Sequence, residues 1–108
     1  VVYTRQSRRA LLGVPEEALA GIRPSTEAYA LLFARTIRER LATSWAIGET
    51  GATGPTGNRY GDAAGHSCIA VAGRIERAIT VETGSPDRIG NMLAFSMAAL
   101  DLLEKCLG

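Results

Sequence analysis

The sequence has one lysine, one histidine, one tryptophan, two cysteines and no long apolar run in its 108 residues. Each shortage excludes something. The apolar stretches are broken by charge well before the roughly 20 residues that a membrane-spanning helix needs, so no membrane segment is expected. Cys68 and Cys106 stand far apart with no histidine cluster near either, which is not a zinc pattern, and no metal or cofactor is predicted. Packed, reduced thiols and a cytoplasmic location are the expectation. The first residues carry Arg5, Arg8 and Arg9 where a signal peptide would need a long apolar core. Disorder is excluded, because 46% of the chain is hydrophobic and the net charge is only +1.

What charge there is comes mostly from arginine. Residues 1–40 carry seven Arg and four Glu, net +3, and residues 41–108 carry five cations and seven acids, net −2. Neither half is basic enough for general nucleic-acid binding. A chain of this length is one domain, 1–108. It opens on a β-branched run without a methionine, which predicts a segment upstream or on another chain.

The local signals give an order of elements. Val1–Thr4 reads as a strand, and Thr4 caps a short helix from Arg5 to Leu12 that stops at Gly13. Pro15, with Glu16 and Glu17 behind it, opens another turn of helix. Pro24-Ser25-Thr26-Glu27 starts a longer helix over about 26–43, with a wet side at Arg35, Arg38, Glu39 and Arg40. Trp45–Gly48 is a short buried strand, followed by a long loop from Glu49 to about Gly65. His66–Gly73 and Ile75–Glu82 form an antiparallel hairpin. The final helix runs over about 87–106, with Ser85 as cap and Pro86 at its first position. Strands mixed with helices of this length predict an α/β sandwich, and the helical connection between 1–4 and 45–48 predicts a parallel pair, hence a mixed sheet.

The loop Gly48-Glu49-Thr50-Gly51-Ala52-Thr53-Gly54-Pro55-Thr56-Gly57 is the most informative segment. Its glycines recur every third residue, and Thr50, Thr53 and Thr56 add hydroxyl donors. Inward-turned N–H groups would form an anion nest, in which Gly54→Val removes ligand binding and spares the fold. The other reading is a solvated loop whose glycines serve turns only. No Gly-Lys-Ser/Thr closes the loop, so it is not a Walker A loop, and no helix follows it as in a dinucleotide fingerprint. Elsewhere, His66 reads as a hydrogen-bonded structural histidine, and Tyr29, Phe33 and Trp45 as core. Arg5, Arg8 and Arg9 read as a solvated face, Arg59 and Tyr60 as a ligand or subunit contact. Met92, Phe95 and Met97 are expected on the sheet or a neighbouring subunit.

Thr50-Gly51-Ala52-Thr53-Gly54-Pro55 resembles the Ser/Thr-Gly-Ile-Ala-Gly-Pro loop of the CinA C-terminal domain family, which includes bacterial nicotinamide mononucleotide deamidases. Val1-Val2-Tyr3-Thr4 leading into Leu11-Leu12-Gly13-Val14 is similar to that family's Val-x-Tyr-Ser-Asn-x-x-Lys strand and Leu-Gly-Val element. The resemblance covers the whole chain and implies a three-layer α/β/α sandwich. It implies a metal-free amidohydrolase that converts nicotinamide mononucleotide to nicotinate mononucleotide and ammonia. The implied catalytic residues are Tyr3 and Arg8; the implied substrate-binding residues are Thr50, Gly51, Ala52, Thr53, Gly54, Pro55, Thr56 and Arg88. The family nucleophile is a serine in a Glu-Ser-Cys-Thr-Gly-Gly motif, absent here, so an upstream segment is the implied partner, along with a homo-oligomer.

The departures define the alternative. Arg5 stands for Asn and Arg8 for Lys, and arginine does not lose its proton as a catalytic lysine does. Thr53 replaces Ala. Of the family's Lys-Pro-Val-Gly-Thr only Gly65 survives, and Asp87-Arg88 fits its Gly-Asp-Arg. Two readings remain: the amidohydrolase, and a non-catalytic module that binds a nucleotide or phosphate or serves assembly.

Overall fold

The computed structural model describes residues 3–13 and 19–108. The expected strand residues Val1 and Val2, and the helix start at Pro15, lie outside the described residues.

Thr4 is extended, and its hydroxyl accepts the Ser7 N–H at 3.0 Å, which starts α1 (Arg5–Ser7). The chain then widens into a π-helical segment (Arg8–Leu12) and stops at Gly13, whose φ of 60° is left-handed. Tyr3 and Thr4 are therefore not in a strand; Thr4 is committed to capping. The helix α2 (Glu27–Leu41) is capped by the Thr26 hydroxyl, which accepts the Tyr29 N–H, and Glu27 faces its positive end.

The sheet is β1 (Ala46–Ala52), β2 (His66–Ala72) and β3 (Arg77–Glu82), in the order β1-β2-β3. Both pairings are antiparallel, with Gly48 opposite Ala70 and Ile69 opposite Ile79. The expected hairpin is present. The expected mixed sheet is not seen: among the described residues every pairing is antiparallel, and of the residues assigned to the parallel partner, Thr4 caps a helix instead. β1 also runs four residues beyond the expected Gly48, since Thr50, Gly51 and Ala52 keep their partners Cys68, Ser67 and His66.

The last helix, α3 (Arg88–Leu107), takes Asp87 as its N-cap residue rather than Ser85. Ser85 turns the chain just before it, its hydroxyl accepting the Asp87 N–H at 3.1 Å.

β2 is buried along its whole length, and its two faces serve two helices. Cys68, Ala70 and Ala72 pack on Ala30 and Ala34 of α2. Ile69 and Val71 pack on Leu102 and Cys106 of α3. One helix thus covers each face of the sheet, as side-chain alternation requires. Both cysteines are free thiols and buried, and burial pushes the Cys68 thiol up from its ordinary value. No described helix is long and apolar enough to cross a membrane.

Candidate functional site

β1 is an edge strand of the described sheet, and an open groove of about 920 Å³ runs along it. The chain just ahead of α1 and the π-helical extension behind it deliver Tyr3 and Arg8 to this groove, β1 delivers Thr50 and Gly51, the loop after it Thr53, and the start of α3 Arg88. Six of the residues marked out in the sequence are thereby brought together from four separate elements. Ala52, Gly54, Pro55 and Thr56 do not line the groove. Ala52 is buried under it, and its carbonyl accepts the Gly65 N–H at 2.8 Å.

The side chains are held individually. Arg8 donates from Nη1 to the Tyr29 hydroxyl at 2.7 Å, and its guanidinium stands 5.8 Å and 5.6 Å from the Tyr29 and Phe33 ring centroids. Tyr29 and Phe33, expected as core alone, therefore also form the groove wall. Arg88 donates from Nη1 to the Thr53 hydroxyl at 2.8 Å and to the Gly54 carbonyl at 3.0 Å. Tyr3 is 80% exposed, so its phenol is free to meet a ligand or a further segment.

Geometry corrects the anion-nest reading for part of the segment. Thr50, Gly51 and Ala52 belong to a pleated strand, where successive N–H groups point to opposite sides and cannot converge on one anion. Gly54 has φ 106°, and an added Cβ would meet the Pro86 carbonyl oxygen at 2.7 Å. A valine there strains the fold itself, contrary to the expectation that it would spare it.

Two polar residues that position the site were not legible beforehand. Asn91 is buried in the first turn of α3. Its amide donates to the Thr53 carbonyl at 2.9 Å and the Ser85 carbonyl at 2.8 Å, and its Oδ1 accepts the Thr83 hydroxyl at 2.5 Å. It ties both loops beside the groove to the helix. Glu49 is the one acidic side chain lining the groove among the described residues, with Oε1 accepting the Ser67 hydroxyl at 2.5 Å. Asn91 carries no sequence signal among the small residues of α3. Glu49 was in view but had no partner until β2 was placed beside it.

The long loop is fixed by side chains. Asn58 accepts the Tyr60 and Asp62 N–H groups at 2.9 and 3.1 Å and donates to the Ser25 hydroxyl at 3.0 Å. The Arg23 guanidinium and the Asn58 amide hold the Asp62 carboxyl below the usual carboxylate range. His66 is buried beneath, as the structural reading expected. Its Nδ1 faces the Glu82 carboxylate at 2.5 Å and its Nε2 the Ser25 carbonyl at 2.8 Å. Both partners accept, so both ring nitrogens donate in the protonated form. Burial alone lowers the His66 pKa, but Glu82, Ser25 and Asp62 outweigh it and the net shift is upward.

A raised folded-state pKa gives a stabilisation complete below the ordinary value of about 6.5 and lost as pH rises through the folded value. The thermal-midpoint gap between wild type and His66→Gln should therefore be larger at pH 6 than at pH 9. An equal gap at both would contradict a protonated His66.

The described residues contain no group of His, Cys, Asp and Glu able to hold a metal ion. Comparison with known proteins agrees with the fold. The model of the CinA C-terminal domain matches residues 1–107. CinA-like proteins of Salinibacter ruber and Gloeobacter violaceus are 31% and 33% identical over 107 residues, covering 99% and 97% of this chain. The chain spans about a quarter of their length, 26% and 25%. Among solved structures, a CinA superfamily protein from Enterobacter cloacae superposes with a TM-score of 0.85 at 28% identity, covering 100% of this chain and 64% of that one. A competence or damage-inducible protein from Enterobacter asburiae does so with 0.87 at 27%, covering 100% and 68%. A groove built on the edge strand, Tyr3 and Arg8 thus sits in a chain that belongs to the CinA C-terminal domain family.

Proposed function

We propose that the groove binds a nicotinamide nucleotide and that the full-length protein hydrolyses its carboxamide, releasing ammonia. The carrying observation is the convergence of Tyr3, Arg8, Thr50, Thr53 and Arg88 on one groove. Tyr3, Thr50 and Arg88 match the family's motifs, while Arg8 and Thr53 stand at motif positions where the family has Lys and Ala. The groove is large enough for such a ligand, since small-molecule sites run to about 300–1,000 Å³. The nucleophile belongs to an upstream serine motif.

Each residue then has a role that its chemistry allows. Tyr3 holds or relays the serine proton. Arg8 stays cationic and binds the phosphate or a developing oxyanion; it is not a base. Glu49 offers a carboxylate to the positively charged pyridinium ring. Arg88 and Asn91 hold the 53–54 turn in place.

A second reading, binding without turnover, draws on Arg8 in the lysine position and on its existing bond to Tyr29. Calorimetry with nicotinamide mononucleotide and an ammonia assay on the full-length protein separate the two. Binding with release supports hydrolysis, and binding without release supports the module. No binding overturns both. Arg8→Ala should weaken binding about 10-fold or more, since a hydrogen bond to a charged group contributes about 1.5–3 kcal/mol.

A further inference from the structure

We propose that His66 is a proton-dependent positioning residue for the groove: its imidazolium clamps the turn at Ser25 to the sheet, and loss of the ring proton releases that turn and the loop resting on it. Three segments meet at the ring. Nδ1 reaches Glu82 of β3 at 2.5 Å, Nε2 reaches the Ser25 carbonyl ahead of α2 at 2.8 Å, and Asp62 of the long loop stands 3.7 Å from Nε2. Ser25 is buried and takes φ 61°, a left-handed conformation that a residue with a Cβ holds only when its surroundings impose it. Its N–H donates to the Thr50 hydroxyl at 3.2 Å, and its hydroxyl accepts from the Asn58 amide at 3.0 Å. Its carbonyl accepts from His66 and, at 3.5 Å, from the Cys68 thiol. Ser25, Thr50 and Asn58 also line the groove, so the turn is part of its wall.

The number of ring protons makes the clamp a switch. An imidazolium donates from both nitrogens, and a neutral ring from one. Both partners here only accept, so the neutral ring has to give up one of them. A carboxylate holds a donor more strongly than a carbonyl does, so the remaining proton stays on Nδ1 toward Glu82. Nε2 then turns a lone pair on the Ser25 carbonyl oxygen at 2.8 Å, in a buried setting where an unpaired acceptor is costly. The Cys68 thiol is a weak donor and is shared with Thr80 Oγ1 at 3.5 Å, so it does not replace the ring. The left-handed turn then relaxes. Asn58, which brackets residues 58–62 through its side chain, loses its anchor on Ser25.

The surrounding charges set where the switch lies. Glu82 faces the ring from β3 and Asp62 from the long loop. Glu27, in the first turn of α2, stands further off, its Oε2 accepting the Thr80 hydroxyl at 2.6 Å. Arg23, paired with Asp62 at 2.9 Å, and the positive end of α2 oppose the cation. Cys68 of β2 stays a neutral thiol, because burial pushes it up. Burial disfavours the charged ring, but Glu82, the Ser25 carbonyl and Asp62 outweigh it, so the proton leaves above the ordinary histidine value of about 6.5.

The switch acts on the groove wall whatever the groove binds, so it is read without a ligand, and its failure is distinct from failure of the nucleotide reading. In the full-length protein, NMR follows the ring signal that His66→Gln removes, and amide hydrogen exchange follows the turn as protection factors at each pH. Protection of the Ser25, Tyr60 and Asp62 amides should fall at least about 10-fold as the ring loses its proton, with the same midpoint, while Ile69 and Val71 keep theirs. Glu82→Gln, a change to an exposed side chain, should move both midpoints down together by about one pH unit or more. Three results overturn the proposal: a ring titration that leaves those amides unchanged, a ring that does not titrate between about pH 5 and 10, or the same pH-dependent loss of protection in a folded His66→Gln protein. If His66→Gln does not fold, Glu82→Gln decides: ring and amide midpoints that move together support the switch, and an amide midpoint that stays while the ring's moves overturns it.

Discussion

Gly48→Val is expected to abolish cooperative folding of the domain, although it changes one small residue on an edge strand. A Cβ at this position runs into the Ala30 carbonyl oxygen and comes within 3.1 Å of the Ala34 nitrogen. Those atoms are helix backbone, not flexible side-chain ends, so α2 itself must lift from the sheet. Ala30 and Ala34 are fully buried in this contact, and the cluster with Cys68, Ala70 and Ala72 depends on that close approach. Overpacking typically costs about 1–3 kcal/mol even where side chains can adjust. A domain whose whole stability is about 5–15 kcal/mol does not absorb a larger strain easily. Gly48→Ala should lower the melting temperature of the domain by ~10 °C or more, at about 4–8 °C per kcal/mol. Gly61→Ala is the control: its Cβ meets nothing within 4 Å, so only the left-handed backbone penalty applies. Thermal melts by circular dichroism separate these cases. A Gly48→Val protein that melts like the wild type would show that α2 does not lie on β1 as described.

The local signals in the sequence located the elements well where one residue type dominates. Thr4 and Thr26 cap their helices as hydroxyl residues do, and Gly13 ends the first by adopting a left-handed φ. The β2–β3 hairpin is legible because β-branched and apolar residues bracket Gly73-Arg74. β1 was read short because glycines at 48 and 51 resemble a loop. In the fold they are strand glycines, required where helix backbone and the neighbouring strand press close. Sheet direction was misread because strand residues were assigned to Val1–Thr4, of which Thr4 prefers to cap. Six residues that line the groove were marked out through the resemblance to the family's motifs, not through spacing alone. Glu49 and Asn91 were not, since their roles arise from contacts across 18 and 38 positions of sequence. Met92, Phe95 and Met97 of α3 were noted together, but only packing shows that Phe95 is buried while both methionines are exposed.

The central claim is that Tyr3, at the mouth of the groove, acts on an amide and does not merely pack at an edge. Its exposure of 80% means that Tyr3→Phe removes one hydroxyl from water and disturbs no core contact. A stability effect is therefore not expected to mask a chemical one. Positioned proton transfer contributes about 10²–10⁴-fold to rate. The direct measurement is ammonia release from nicotinamide mononucleotide by full-length wild type and Tyr3→Phe, with kcat and KM resolved. The wild type should turn over, and Tyr3→Phe should show a kcat lower by about 100-fold or more at nearly unchanged KM. An unchanged kcat in Tyr3→Phe, or no release above background by the wild type, would contradict it.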